Sequence, residues 1–261
     1  MTAITRTSLA ISTALIFLAM AACSSAPTAE DEAPAEDEMV HEEESHHHDH
    51  HDDHHGHDHH EGHDHHAGHH DHRFEDPEQY AERWNDPARD EWQQPEAIIE
   101  AMEIEEGMTV ADLGAGTGYF VPFLAQAVGD EGRVLAADIE ESMLQYIDDM
   151  AEEQGLENVE TVKAEFTHSG LPEGEVDRIV TVNTWHHIAD RGEYSEHLYQ
   201  TLSDDGSVWV VDFHEDSPMG PPPEHRLPPE VVIAELEEGG FEAELHELRL
   251  ERQYIVVGHR R

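Results

Sequence analysis

From residue 108 onward the chain repeats one rhythm: a short apolar run, a turn, then a longer stretch whose apolar residues recur every three or four positions. "MTVADL" (108–113), "RVLAADI" (133–139), "VETVKAEF" (159–166), "VDRIVTVN" (176–183) and "GSVWVVDF" (206–213) have the length and β-branched content of strands. Between them, "YFVPFLAQAV" (119–128), "ESMLQYIDDMAEEQG" and "RGEYSEHLYQTLSDDG" carry helical spacing, the second stopped by Gly155, and "PEVVIAELEEGG" follows the fifth strand. "FEAELHELRL" and "RQYIVVGHR" then alternate as paired strands with no helix between them. Alternating strands and helices closed by an antiparallel pair predict a three-layer α/β sandwich. Two short helices precede it: "EDPEQYAERW", with Asp76 as N-cap and Pro77 at the first helical position, and "QPEAIIEAM", entered through Pro95.

The first 72 residues show no such rhythm. Residues 1–23 place Arg6 before an apolar run from Leu9 to Met20 and end in "MAAC", the order of a secretory signal and too short to span a bilayer comfortably. Residues 24–72 are acidic and then histidine-rich, with little apolar surface to offset the entropy of ordering; they are expected to be a disordered tether. Residues 73–261 remain for a single domain.

"MAAC" resembles the lipobox of bacterial lipoproteins, with Met20 where leucine is commoner. Cys23 is the only cysteine, so it has no disulfide partner within the chain, and the resemblance makes it a lipidation site. Acyl chains there would anchor the protein in the cell envelope; Ser24 after the cysteine favours, by analogy, the outer membrane facing the periplasm.

Charge narrows the partners further. Residues 73–261 hold 45 acidic against 12 basic side chains, and Lys163 is the one lysine. Such a field repels nucleic acid and anionic lipid headgroups. It resembles the surfaces of proteins from salt-adapted organisms, and predicts stability that rises with ionic strength.

The candidate chemistry begins at "DLGAGTG" (112–118). Gly114, Gly116 and Gly118 allow a tight turn and close backbone approach to a ligand, and the helix that follows offers free N–H groups. A dinucleotide fingerprint would want glycine at 119, where Tyr119 stands, so a nicotinamide cofactor is disfavoured. Asp138 ends the next strand 22 residues beyond Gly116, where a carboxylate can accept both hydroxyls of a ribose; a solvated strand-end acid is the plainer alternative.

On these residues the stretch 109–213 resembles a class I S-adenosylmethionine-dependent methyltransferase. The resemblance implies a Rossmann-like, seven-stranded, mostly parallel sheet with its last strand antiparallel, and S-adenosylmethionine as cofactor. It places Asp112, Gly114, Ala115, Gly116, Thr117 and Gly118 around the methionine end, Asp138 on the ribose, and "AEF" near the adenine, with Glu165 and Phe166 as contacts or as ordinary surface residues. The flank "WNDPARDEWQQP" resembles small exported methyltransferases; its Arg89, Asp90 and Trp92 would cover the cofactor or cap the sheet.

At the end of the fourth strand, "NTWHHIAD" sets Asn183, a candidate cofactor contact, beside Trp185, His186 and His187. The two histidines suit a general base or a metal pair, or else one packs and the other meets solvent. Asp212 and His214 end the fifth strand close enough to join them. "SPMGPPPEHRLPPE" then forms a stiff connection in which His225 and Arg226 would reach an anionic substrate or serve only as a spacer. No cysteine lies outside the lipobox, which argues against thiol-based metalloid methylation.

The tether holds 17 of the 25 histidines, among them His46, His47, His48, His50, His51, His54, His55, His57, His59 and His60, interleaved with aspartate. This resembles the histidine-rich segments of exported metal-handling proteins and suits several labile zinc, nickel or copper ions, with protons competing below about pH 6.5; a solvated linker is the alternative. Three readings follow: a methyltransferase acting on a small or surface-exposed acceptor, a metal-binding lipoprotein using the fold as a scaffold, or a methyltransferase fold that binds without catalysis.

Overall fold

Apolar residues run consecutively through the central strands, so each is buried on both faces and has to be covered by helices on both sides. The computed structural model describes residues 76–261; the expected leader, the expected lipidation site at Cys23 and the histidines from His41 to His72 lie outside the described residues. Strands β1 (Thr109–Leu113), β2 (Arg133–Asp138), β3 (Val159–Lys163), β4 (Val176–Val182), β5 (Leu202–Phe213), β6 (Glu242–Leu245) and β7 (Gln253–His259) form a single sheet in the order β3-β2-β1-β4-β5-β7-β6. β1 to β5 are parallel, and β7 runs antiparallel to both β5 and β6. The strand order reverses at β1, and the carboxyl ends of β1 and β4 flank that switch point, where α/β sheets bind ligands.

Neighbouring residues along each strand divide between two cores. Val110, Val134, Val180, Trp209 and Ile255 face α3 (Pro95–Ala101), α4 (Val121–Val128) and α5 (Glu141–Gln154). Ala111, Leu135, Ile179, Val208 and Val256 face α6 (Arg191–Thr201) and α7 (Pro229–Glu238). The three-layer sandwich is therefore as expected. Two short helices, α1 (Pro77–Trp84) and α2 (Asp90–Gln93), lead into α3 through a left-handed turn at Gln94.

Four boundaries differ from the sequence expectation. Asp76 makes no side-chain cap, and Pro77 alone starts α1. The helix predicted to continue through "LSDDG" stops at Thr201, because Leu202 is fully buried and pairs with Val176, drawing the segment into β5. β3 stops at Lys163, beyond which Glu165 and His168 close a tight turn. "FEAELHELRL" keeps strand structure only over Glu242–Leu245.

Candidate active site

The loop after β1 is shaped by positive φ angles. Gly114 (φ +74°) donates its N–H to Ala137 O at 2.8 Å, and a Cβ there would lie 2.3 Å from the Thr184 side chain at the end of β4. Gly116 (φ +55°) donates to Asp138 Oδ2 at 2.8 Å, and its missing Cβ leaves room for the Trp84 ring at 3.3 Å. α1 thus ends on the glycine loop, and Asn85 clamps it: Asn85 Nδ2 donates to Thr117 O at 3.1 Å and Thr117 Oγ1 donates to Asn85 Oδ1 at 2.7 Å. Ala115 and Gly118 close the turn, Gly118 N–H to Ala115 O at 2.9 Å.

Asp138 is nearly buried and also accepts from Glu140 N–H at 2.9 Å. Burial raises its pKa, and the backbone N–H bonds oppose that rise. With three backbone N–H groups, those of Gly116, Ile139 and Glu140, directed at it, the carboxylate keeps part of its acceptor capacity for a ligand hydroxyl. Asp112, 3 % exposed at the end of β1, is pushed up to about 7, chiefly by burial; the Arg89 guanidinium acts against the rise and Asp138 adds to it. Glu165 and Phe166 lie beyond β3, both exposed, in the turn closed by Glu165 N–H to His168 O.

Arg89 sits over this region, with its guanidinium carbon 4.0 Å from the Tyr119 ring centroid and 5.9 Å from that of Trp92. Tyr119 OH donates to Asp90. Trp92 stacks on Phe213 at the end of β5 and carries Arg252 on its ring at 5.3 Å. The flank therefore covers the sheet edge with aromatic and cationic side chains.

At the ends of β4 and β5, His186 Nδ1 lies 2.9 Å and 3.0 Å from the two oxygens of Asp212. Both side chains are buried, at 4 % and 2 % exposure, and Phe213 N–H fixes the carboxylate by donating to Asp212 Oδ1 at 2.8 Å. His187 is exposed and its ring lies 4.2 Å from that of His186. His214 turns instead to the Tyr254 ring. Of the expected four-residue cluster, His186, His187 and Asp212 come together around one buried pair. Among the described residues no group of three or more histidine, cysteine or acidic side chains is placed to hold a metal ion. Arg226 is committed to its own loop, donating to Pro221 O, Glu215 O and Ser217 O, so it ties the proline-rich connection together.

Asn183, just past β4, takes a left-handed φ of +58° and donates its N–H to Val211 O at 2.9 Å. Its side chain ends a buried polar chain that the sequence reading missed: Arg89 to Gln93, Gln93 to Gln253, Gln253 to Asn183. Nothing in the spacing of Gln93 and Gln253, 160 positions apart, signals their contact. Asn85 was equally silent, inside a segment from which Arg89, Asp90 and Trp92 alone stood out.

Comparison with known proteins agrees with this geometry. Residues 110–215 match the family described as a methyltransferase domain. The ubiquinone/menaquinone biosynthesis C-methyltransferase UbiE of Enterobacter sp. strain 638 is 31% identical over 116 residues, 44% of this chain and 46% of that protein. The chain thus spans about half the length of the curated relatives it matches. An S-adenosylmethionine-dependent methyltransferase from Aquifex aeolicus is 30% identical with a TM-score of 0.66, covering 70% of this chain and 98% of its own. YcgJ of Bacillus subtilis, 14% identical with a TM-score of 0.54 over 65% of this chain and 98% of its own, shares the fold. The chain belongs to the S-adenosylmethionine-dependent methyltransferase family.

Proposed function

We propose that this protein transfers a methyl group from S-adenosylmethionine to an acceptor whose proton is taken by His186. The observation that carries the reading is a buried His186–Asp212 pair on the same sheet edge as the glycine loop and Asp138. The residues fit the methyl donor: left-handed glycines at 114, 116 and 118 let the loop turn tightly, and Asp138 retains acceptor capacity for a ribose hydroxyl. Asp112 and residues 114–118 would hold its methionine end, with Glu165 and Phe166 near its adenine.

When bound, S-adenosylmethionine supplies an electrophilic methyl that needs little further activation. The protein's part is alignment and proton removal. Asp212 as a carboxylate keeps the proton of neutral His186 on Nδ1, so that Nε2 carries the lone pair that receives the acceptor's proton. His187, exposed beside it, is the second candidate. Calorimetric titration of the full chain with S-adenosylmethionine in molar salt tests the reading; no heat of binding at millimolar ligand would end it.

The same reading includes an envelope location through lipid on Cys23 and labile zinc, nickel or copper ions on the run from His46 to His72. The interleaved histidines and aspartates support it. Deleting residues 41–72 should remove most zinc uptake and leave affinity for the methyl donor unchanged.

A further inference from the structure

The polar chain behind the site has a direction, and one residue fixes it. Arg89 Nε and Nη2 lie 3.2 Å and 3.1 Å from the same Gln93 atom. A guanidinium only donates, so that atom is the Gln93 carbonyl oxygen. Gln93 therefore turns its amide nitrogen onward and donates to Gln253 Oε1 at 2.6 Å. Gln253 Nε2 then donates to Asn183 Oδ1. With its oxygen taken, Asn183 is left with Nδ2 as its outer group, and no described residue accepts a hydrogen bond from it. Gln93 and Gln253 are buried to 0 % and 1 % exposure, so neither can turn round by trading a partner for water. Asn183 itself is half-buried at the carboxyl edge, pinned by its N–H to Val211 O, the residue before Asp212.

A second feature points the same way. Trp92 and Arg252, the chain neighbours of Gln93 and Gln253, stack on each other, and Arg89 approaches the same ring. Arg252 Nε is buried with no hydrogen-bond partner among the described residues. In a domain with 45 acidic and 12 basic side chains, Arg89 and Arg252 both lie against the Trp92 ring.

We infer that Arg89, Gln93 and Gln253 are positioning residues that preset Asn183 as a hydrogen-bond donor for an anionic oxygen of the methyl acceptor, either the phenolate or enolate left when His186 takes the proton or a carboxylate beside the reacting atom, rather than for a protonated amine. This rests on the methyl-transfer reading and moves Asn183 from the methyl donor's site, where the family resemblance put it, to the acceptor's.

Benzoate and benzylamine, matched in shape and opposite in charge, are the probes. Each is titrated into the full-length protein with and without S-adenosylhomocysteine at about 1 M salt, where the screening length is about 3 Å. Benzoate should bind more tightly than benzylamine by about tenfold or more. Asn183→Asp keeps the bond from Gln253 but cannot donate, and should lose that preference while holding S-adenosylhomocysteine as before. Gln253→Glu accepts from both neighbours, turning the Asn183 amide round, and should shift the preference toward benzylamine; Gln253→Met should weaken the preference without inverting it.

A preference for benzylamine in the unaltered protein overturns the inference, as does absence of benzoate binding. So does an Asn183→Asp variant that loses S-adenosylhomocysteine as severely as benzoate, or a Gln253→Glu variant indistinguishable from Gln253→Met. If Gln253→Glu does not fold, as judged by circular dichroism, the unaltered protein and Asn183→Asp decide. Failure to bind S-adenosylhomocysteine at all counts against methyl transfer, while the titrations without it still test the oxyanion preference.

Discussion

Over β1 and β2 the ligand edge is assembled from near neighbours in the chain: a glycine loop of five residues and one carboxylate 22 positions beyond Gly116. Over β4, β5 and β7 the same edge depends on residues that meet only once the sheet has formed, His186 with Asp212 and Gln93 with Gln253. The first half is held chiefly by backbone geometry, with Asn85 clamping Thr117, and an added Cβ at Gly114 would strike Thr184. The second is held by side-chain hydrogen bonds in a dry interior, where each group depends on its partner. Disturbing the first should therefore cost binding and folding together, and disturbing the second should separate them.

The largest expected effect is on the first half. Gly114→Ala combines a left-handed φ with a Cβ 2.3 Å from Thr184, and should destabilise the domain by about 3 kcal/mol while abolishing detectable binding of the methyl donor. Chemical unfolding and calorimetry check both parts. Asp212→Asn strikes the second half. It should lower kcat by about 100-fold through loss of the His186 tautomer, with little change in affinity for the methyl donor. A parallel loss of affinity would mean that the two halves are not separable.

Asp112 stands where the halves meet, since Asp138 raises its pKa and Arg89 acts against the rise. With the folded value at about 7, above that of the unfolded chain, the fold keeps a proton that the unfolded chain releases. Stability from this group is complete below the unfolded value, near pH 4, and is lost as pH rises to about 7. Asp112→Asn removes that loss, so its melting temperature should exceed that of the unaltered protein by more at pH 8 than at pH 5. The smallest effect within the site should come from salt. Melting temperature should rise between low and molar salt because the acidic surface is screened, whereas the buried His186–Asp212 pair is little affected.

The fold was legible in the sequence because its signals are local. Runs such as "RVLAAD" need only their own composition to declare a buried strand, and glycines at 114, 116 and 118 declare a turn. Asp138 and Asp212 could be placed because each ends a recognisable strand. The errors came where pairing overrode local preference, as at Leu202, which was drawn from a predicted helix into β5. Gln93, Gln253 and Asn85 carried no signal, since a buried amide and an exposed one look alike in a single sequence. Arg226 misled for a related reason: its charge suggested a substrate, but its guanidinium is used on backbone carbonyls.

The position of β7 sets a condition on when the site can become selective. That strand follows β6 in the chain yet lies between β5 and β6 in the sheet, and it carries Gln253. Whatever the order of earlier folding events, the Asn183 amide receives its instruction only after β7 has threaded into place. A chain caught before that moment would already possess the nucleoside-binding half of the edge, yet would have no means of telling one methyl acceptor from another.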